Sequence, residues 1–256
     1  MSSDRRQRQK AEGRARREAE RKAAARKELI RRIGVGLGLG LVVALILFGT
    51  GSLSRRDTTA DLAAGYQAFL ERPTACDAEA PPPLVPAQYT APETQDLGEN
   101  IATIKTSCGD LVIELDTGFP ATANSFVFLA RSGFYDGTVF HRIAPGFVIQ
   151  GGDQEASGRG GPGYRIPDEF PDSSFRYGRG VVAMANAGTA TTGSQFFIVI
   201  ADDSRLGPQF NVVGKLIGGE DTLDRIAATP TGRQPNSVEE SLPLESVYIE
   251  SITFSS

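Results

Sequence analysis

Few side chains in this sequence suit acid–base, nucleophilic or metal chemistry. There is one histidine, His141, and there are two cysteines, Cys76 and Cys108. That excludes a multi-histidine metal centre and a cysteine-based zinc cluster. A Ser-His-Asp triad would rest on His141 alone. The serine in question, in Thr192-Gly193-Ser194-Gln195, lacks the G-x-S-x-G form, and no carboxylate is marked out to orient the imidazole. A hydrolase built on Ser194 and His141 is therefore a weak reading. Gly34, Gly36 and Gly38 spell GxGxG, but in an uncharged apolar run rather than between a strand and a helix, which discounts a dinucleotide loop. What remains is Arg142, in Phe140-His141-Arg142, a cation with several fixed donors. Taken alone, a strand arginine of this kind reads as half of a surface salt bridge.

The chain that must position these residues has 256 residues, 40% hydrophobic and 23% charged. This suits one or two folded domains and excludes wholesale disorder. The net charge of −4 hides a division. Residues 1–32 carry 13 Lys and Arg against 5 Asp and Glu, and the remainder carries 14 against 26. The acidic body argues against nucleic acid as a partner, since phosphate binding needs dense Lys and Arg. Residues 1–32 read as a basic cytoplasmic tail, either solvated or lying near anionic headgroups.

Ile33 to Gly51 contains no charge, and at 1.5 Å rise it spans about 28 Å, close to the hydrocarbon thickness of a bilayer. Arg31 and Arg32 precede it. The expectation is an uncleaved transmembrane anchor over 33–51, with the N-terminus cytoplasmic and the rest extracytoplasmic. A cleaved signal peptide competes, but the leading region is long and no A-x-A site follows closely. Two overlapping GxxxG spacings, Gly34 to Gly38 and Gly36 to Gly40, would let two spans pack as a weak dimer. Residues 52–98 hold Pro73, Pro81, Pro82, Pro83, Pro86 and Pro92 and read as an extended linker, with a short helix over Thr58 to Glu71. Cys76 in this linker and Cys108 beyond it make an even count in an oxidising location, so a disulfide is expected between them, two free thiols being the alternative.

From Glu99 onward the pattern becomes short apolar strands between glycine-rich turns. Ile101–Thr106 and Leu111–Leu115 read as a hairpin. Further strands are expected over Thr138–Ile143, Phe147–Gln150, Val181–Ala185, Gln195–Ile200, Val212–Ile217 and Val247–Phe254. Ala121–Arg131, behind Pro120, and Gly219–Ala228 read as helices, and 151–180 as a long loop. Such a pattern predicts a mainly β antiparallel barrel or sandwich.

Phe134 to Asp153 reads FYDGTVFHRIAPGFVIQGGD, and Val182 to Ile198 reads VAMANAGTATTGSQFFI. With GYRIPDEF at 163–170 and LGPQFNVVGKLIGG at 206–219, the region 99–256 resembles the cyclophilin-type peptidyl-prolyl cis/trans isomerases. The resemblance implies a closed eight-stranded antiparallel barrel capped by two helices, with the substrate groove on its outer surface. It implies rotation about X-Pro peptide bonds of polypeptide substrates, without cofactor or metal. Arg142 matches the family's catalytic arginine. Phe147, Val148, Phe197, Leu206 and Phe210 match the proline pocket, although a strand phenylalanine read alone would be ordinary core. Gln150 matches a residue that contacts the substrate backbone, and Ala185, Asn186 and Gln195 match groove positions for residues preceding proline. His141 is read as structural, because the reaction moves no proton.

Three positions depart from the family. Val148 replaces a methionine, Phe210 a histidine and Arg205 a tryptophan that strengthens cyclosporin binding. The departures imply reduced inhibitor sensitivity with turnover kept, and Arg205 implies a preference for acidic residues near the proline. Two functions compete: a membrane-tethered isomerase assisting the folding of secreted or membrane proteins, and a tethered module that holds proline segments with little turnover. The intact set of Arg142, Phe147, Gln150 and Phe197 favours the isomerase.

Overall fold

The computed structural model describes residues 59–234 and 237–256, with the side chains of 59–64 excepted. The basic tail 1–32 and the expected span 33–51 lie outside the described residues. Among the described residues, no helix is long and apolar enough to cross a membrane.

Ten strands and three helices follow one another in the described chain. Helix α1 covers Thr59–Leu70, and a 3-10 turn covers Ala75–Asp77. Strands β1 (Ile101–Thr106) and β2 (Gly109–Leu115) form the expected hairpin. Helix α2 (Pro120–Arg131) leads to β3 (Arg142–Ala144), β4 (Val148–Gly151), β5 (Val181–Met184), β6 (Phe196–Val199) and β7 (Val212–Gly218). Helix α3 (Glu220–Ala227) is followed by β8 (Thr231–Arg233), β9 (Glu240–Pro243) and β10 (Ile249–Ser255).

Eight of these strands form one antiparallel sheet in the order β10-β1-β2-β7-β5-β6-β4-β3. The closed barrel expected from sequence is instead a curled sheet that stays open, as a ladder, between β10 and β3. The reason is the shortness of β3: the chain before it leaves the strand path, and the seam holds only an isolated bridge, Val139 with Tyr248. Hydrogen bonds from Gly137 N to Ile249 O (2.7 Å) and Phe140 N to Val247 O (2.9 Å) flank that bridge.

Alternation along the strands sorts the side chains onto two faces. Ile143, Ile149, Ile198, Val182, Ile104 and Ile113 point to one face and pack with Phe126, Leu129, Leu223 and Ile226 of α2 and α3 in the main core. α2 lies against β7 and β10, and α3 against β2 and β4. The α2 sequence explains both of its ends. Pro120 occupies the first turn, where its missing N–H costs nothing. Gly133, at φ +70°, ends the helix with bonds from Gly133 N to Ala130 O and from Phe134 N to Leu129 O, a Schellman closure.

The expected linker is, over its described part, docked on the domain. The rings of Tyr66 and Phe69 are buried, and the Tyr66 hydroxyl donates to the Gly137 carbonyl at 2.7 Å. Arg72 donates to the Pro243 carbonyl, and Ser246 N bonds Pro73 O at 2.8 Å. Cys76 and Cys108 are joined by a disulfide. Tyr89 sets its ring edge-on to Phe128 and Phe134, and Gln95 exchanges two hydrogen bonds with Asn124. Extended proline-rich chain makes no internal hydrogen bonds. Its backbone groups are therefore free to bond the domain, and the interspersed aromatics supply the apolar area.

Candidate active site

Strands β3, β4 and β6 lie side by side, with Arg142 opposite Gln150 and Gln150 opposite Phe197. Residues paired across strands share a face. Arg142, Val148, Gln150 and Phe197 therefore stand together on the face turned away from the core residues Ile143, Ile149 and Ile198. Ala183, opposite Phe197 on β5, joins them. Val148 and Phe197 are both buried, and neither packs in the main core around Ile143, Ile149 and Ile198.

A chain of side-chain hydrogen bonds crosses this face. Arg142 Nη1 donates to Gln150 Oε1 at 3.2 Å, Gln150 Nε2 to Gln195 Oε1 at 3.0 Å, and Gln195 Nε2 to the Gly160 carbonyl at 2.9 Å. Each amide is thereby held at both of its ends, and the first accepts one bond from the guanidinium. The Arg142 guanidinium carbon lies 5.7 Å from the centre of the half-buried Phe147 ring. Arg142 itself is only 8% exposed.

Its charge is matched by Glu239, just before β9. Nε donates to Oε2 at 3.1 Å and Nη2 to Oε1 at 2.5 Å, a bidentate pair. Burial pushes the Glu239 carboxyl up, but hydrogen bonds from Arg142 and Ser241 and the Arg142 charge outweigh it, so the carboxyl titrates below its usual value. Glu239 is not visible to sequence reasoning. It lies 97 residues from Arg142, in a polar stretch without a strand-like pattern.

Phe197 and Phe210 meet edge to face with centres 5.3 Å apart. Phe210 is held by its backbone: the Tyr177 hydroxyl donates to its carbonyl at 2.5 Å. Val148 is buried on β4, and Leu206 is half-buried in the loop 201–211. Arg205 is exposed, with Asp203 at 3.9 Å and Asp202 adjoining in sequence. Its loop therefore has no net positive charge, which weakens the expected preference for acidic residues.

Ala185, Asn186 and Gln195 line one cavity of about 210 Å³. Ala185 N bonds the Gln195 carbonyl at 2.8 Å, and the Asn186 amide donates to Gln209 O at 2.8 Å. Arg159, Arg165 and Thr191 also line this cavity, and none of them was marked by the sequence. The loop that supplies Gly158, Arg159 and Gly160 is shaped by Asp153. That fully buried carboxylate accepts the N–H groups of Glu155, Ser157, Gly158 and Gly160 at 2.7–3.2 Å. Gly152 turns the chain into this loop at φ +78°, where an added Cβ would lie 2.7 Å from the Ser194 carbonyl oxygen.

The Ser194 and His141 pairing does not form. The Ser194 hydroxyl is buried and donates to the Gly152 carbonyl at 2.8 Å. Both His141 ring nitrogens are buried without a hydrogen-bond partner. Burial lowers the imidazole pKa, the Asp153 charge raises it and the Arg142 charge lowers it again, with a net lowering. A neutral, enclosed imidazole fits a structural role.

The chain matches the family model for cyclophilin type peptidyl-prolyl cis-trans isomerases over residues 101–253. It is 40% identical over 168 residues to peptidyl-prolyl cis-trans isomerase B of Streptomyces anulatus, covering 58% of this chain and 95% of that one. It is 41% identical over 171 residues to a probable peptidyl-prolyl cis-trans isomerase A of Mycobacterium bovis, covering 60% and 91%. Among solved structures, it is similar to a cyclophilin type isomerase of Cryptosporidium parvum determined in the presence of the dipeptide Ala-Pro. The TM-score is 0.54 and the identity 33%, with 61% of this chain and 99% of that chain covered. With the sheet, the face and these relatives in agreement, the chain belongs to the cyclophilin-type peptidyl-prolyl cis-trans isomerases.

Proposed function

We propose that the groove face of β3, β4 and β6 is where this isomerase turns an X-Pro bond, with Arg142 as the catalytic donor. Rotation about the bond faces a barrier of about 18–20 kcal/mol because the amide loses resonance as it twists. In the twisted state the prolyl nitrogen recovers its lone pair and accepts a hydrogen bond that the planar amide cannot. A guanidinium held in place stabilises that state alone, which is what acceleration requires. Phe147, Val148, Phe197, Leu206 and Phe210 form the apolar pocket for the pyrrolidine ring. Gln150 helps hold the arginine and contacts the substrate backbone, and Ala185, Asn186 and Gln195 take the residues preceding proline. The observation that carries this reading is the hydrogen-bonded run from Arg142 through Gln150 to Gln195 on the face opposite the core.

The test is exchange of an X-Pro tetrapeptide on the full-length chain, with Arg142→Ala beside it. The expected loss is about 10²–10³-fold in the on-enzyme rate, the range for removing one preorganised donor. Binding without acceleration by the parent chain would instead establish a module that holds proline segments.

The same proposal places the domain outside the cytoplasmic membrane, tethered by residues 33–51, acting on secreted or membrane proteins as they fold. Slow prolyl isomerisation limits folding, and a Cys76–Cys108 disulfide suits an oxidising compartment. Membrane-impermeant labelling of a cysteine placed at Ser54, but not at Ser3, is the expected topology result. Labelling of Ser3 alone would reverse it.

A further inference from the structure

Arginine has five N–H donors. Three of those on Arg142 are engaged, two by Glu239 and one by Gln150. The two left over belong to the terminal nitrogens, one on each, so the guanidinium is held by its side edge and is still able to donate from its end. Gln150 alone, through one bond to Nη1, leaves the planar group free to turn about that bond. The bidentate carboxylate removes that freedom.

Glu239 is itself held. Ser241 Oγ donates to its Oε2 at 2.7 Å, and its own N–H donates to Ser237 Oγ at 3.0 Å. Its carbonyl accepts Gln234 N at 2.9 Å, which ties it to the end of β8. β9 packs on β3, the strand that carries Arg142. The pair is largely withdrawn from water, the Arg142 and Glu239 side chains being 10% and 19% exposed. Solvent screening is therefore weak and the geometry is enforced.

We infer that Glu239 is a positioning residue of this isomerase: it clamps Arg142 by Nε and Nη2 and so aims the remaining N–H groups at the prolyl nitrogen. The inference rests on Arg142 being the catalytic donor. It assigns the β8–β9 hairpin a part in turnover, beyond the strands that form the groove.

The experiment uses the full-length chain and an X-Pro tetrapeptide followed by NMR exchange spectroscopy, which reads affinity and on-enzyme interconversion separately. Glu239→Ala is expected to slow interconversion about tenfold, the scale of a misaimed catalytic group, with affinity held within about twofold. Glu239→Gln, which keeps one acceptor and loses the charge, is expected to fall between Ala and the parent. In an Arg142→Ala background, Glu239→Ala is expected to add no further loss, because the two act as one unit. Thermal melts show whether each variant is folded. If folded Glu239→Ala interconverts the peptide at the parent rate, the carboxylate is only structural and the inference fails. If it runs faster, the contact is inhibitory and the inference fails in the opposite sense. If Arg142→Ala keeps full activity, the reading of Arg142 as the donor fails, a different failure from either of these.

Discussion

His141 and Glu239 both neighbour Arg142, and their environments set their charge states differently. Glu239 stays ionised below the ordinary carboxylate range. His141 stays neutral, chiefly through burial. In the unfolded chain this histidine titrates near 6.5. As pH falls, the unfolded state takes up the proton first, so stability present above pH ~6.5 is lost as pH falls toward the lowered folded value. His141→Leu removes the titration along with two unpaired buried nitrogens. Urea titrations at pH 7.5 and 5.5 are expected to show a smaller difference for His141→Leu than for the parent, with pH 7.5 stability held within about 1 kcal/mol. Peptide turnover is expected to stay flat from pH 6 to 8, because no proton moves in the reaction. A bell-shaped profile centred near the histidine range would overturn that mechanism. Arg142 was legible as a candidate in the sequence because it stands in the run FHRIAPGF together with Phe147. Glu239 was not, because a salt-bridge partner is chosen by where a hairpin lands in space.

The elements around the site owe their placement to a few polar side chains as well as to the core. α2 has no side-chain cap of its own, since Phe119 occupies that position. Glu169, from the long loop, supplies it: Oε1 accepts Ala121 N at 3.0 Å, and Oε2 accepts Thr122 N at 2.8 Å and the Thr122 hydroxyl at 2.7 Å. A carboxylate at a helix N-terminus satisfies orphan N–H groups and the helix dipole together. Glu169→Ala is expected to cost about 1–2 kcal/mol in urea unfolding, the range for losing a good cap, and Glu169→Gln less. An unchanged midpoint would show that the loop does not stabilise the helix. The same contrast explains which elements the sequence revealed. β1, β2 and α2 announce themselves by apolar periodicity. β8 reads TGR and β9 reads ESLP, with a proline and little apolar alternation, so their hairpin left no pattern. A strand over Thr138–Ile143 would have carried the ladder across the seam, but β3 starts only at Arg142 and Val139 makes no more than an isolated bridge to Tyr248, so the sheet stays open there.

At the scale of the described unit, the segment 59–98 behaves as a strap. It begins at α1, is stapled by Cys76–Cys108 and ends against α2 through Gln95 and Asn124. Prolines mark extended chain, and extended chain by itself reads as a tether, because composition does not record what lies alongside. The aromatics Tyr66, Phe69 and Tyr89 were the available signal, since a freely solvated linker has no use for three of them. The strap also touches β9, where Arg72, stacked 3.9 Å above Phe69, donates to the Pro243 carbonyl. The disulfide separates its cysteines by 32 residues, and closing a loop of that length is worth about 3–4 kcal/mol in the chain-entropy account. For a unit of this size that corresponds to roughly 10 °C in melting temperature. Cys76→Ser with Cys108→Ser is therefore expected to melt about 10 °C below the oxidised parent, and reductant is expected to bring the parent down to the variant. Tetrapeptide turnover at 25 °C is expected to stay within about twofold, because Arg142, Gln150 and Phe197 are held by sheet register and by Glu239 rather than by the strap. A double variant that melts with the parent would mean that the aromatic contacts alone hold the strap. One that keeps its melting temperature but loses turnover would mean that the strap acts on Arg142 through β9.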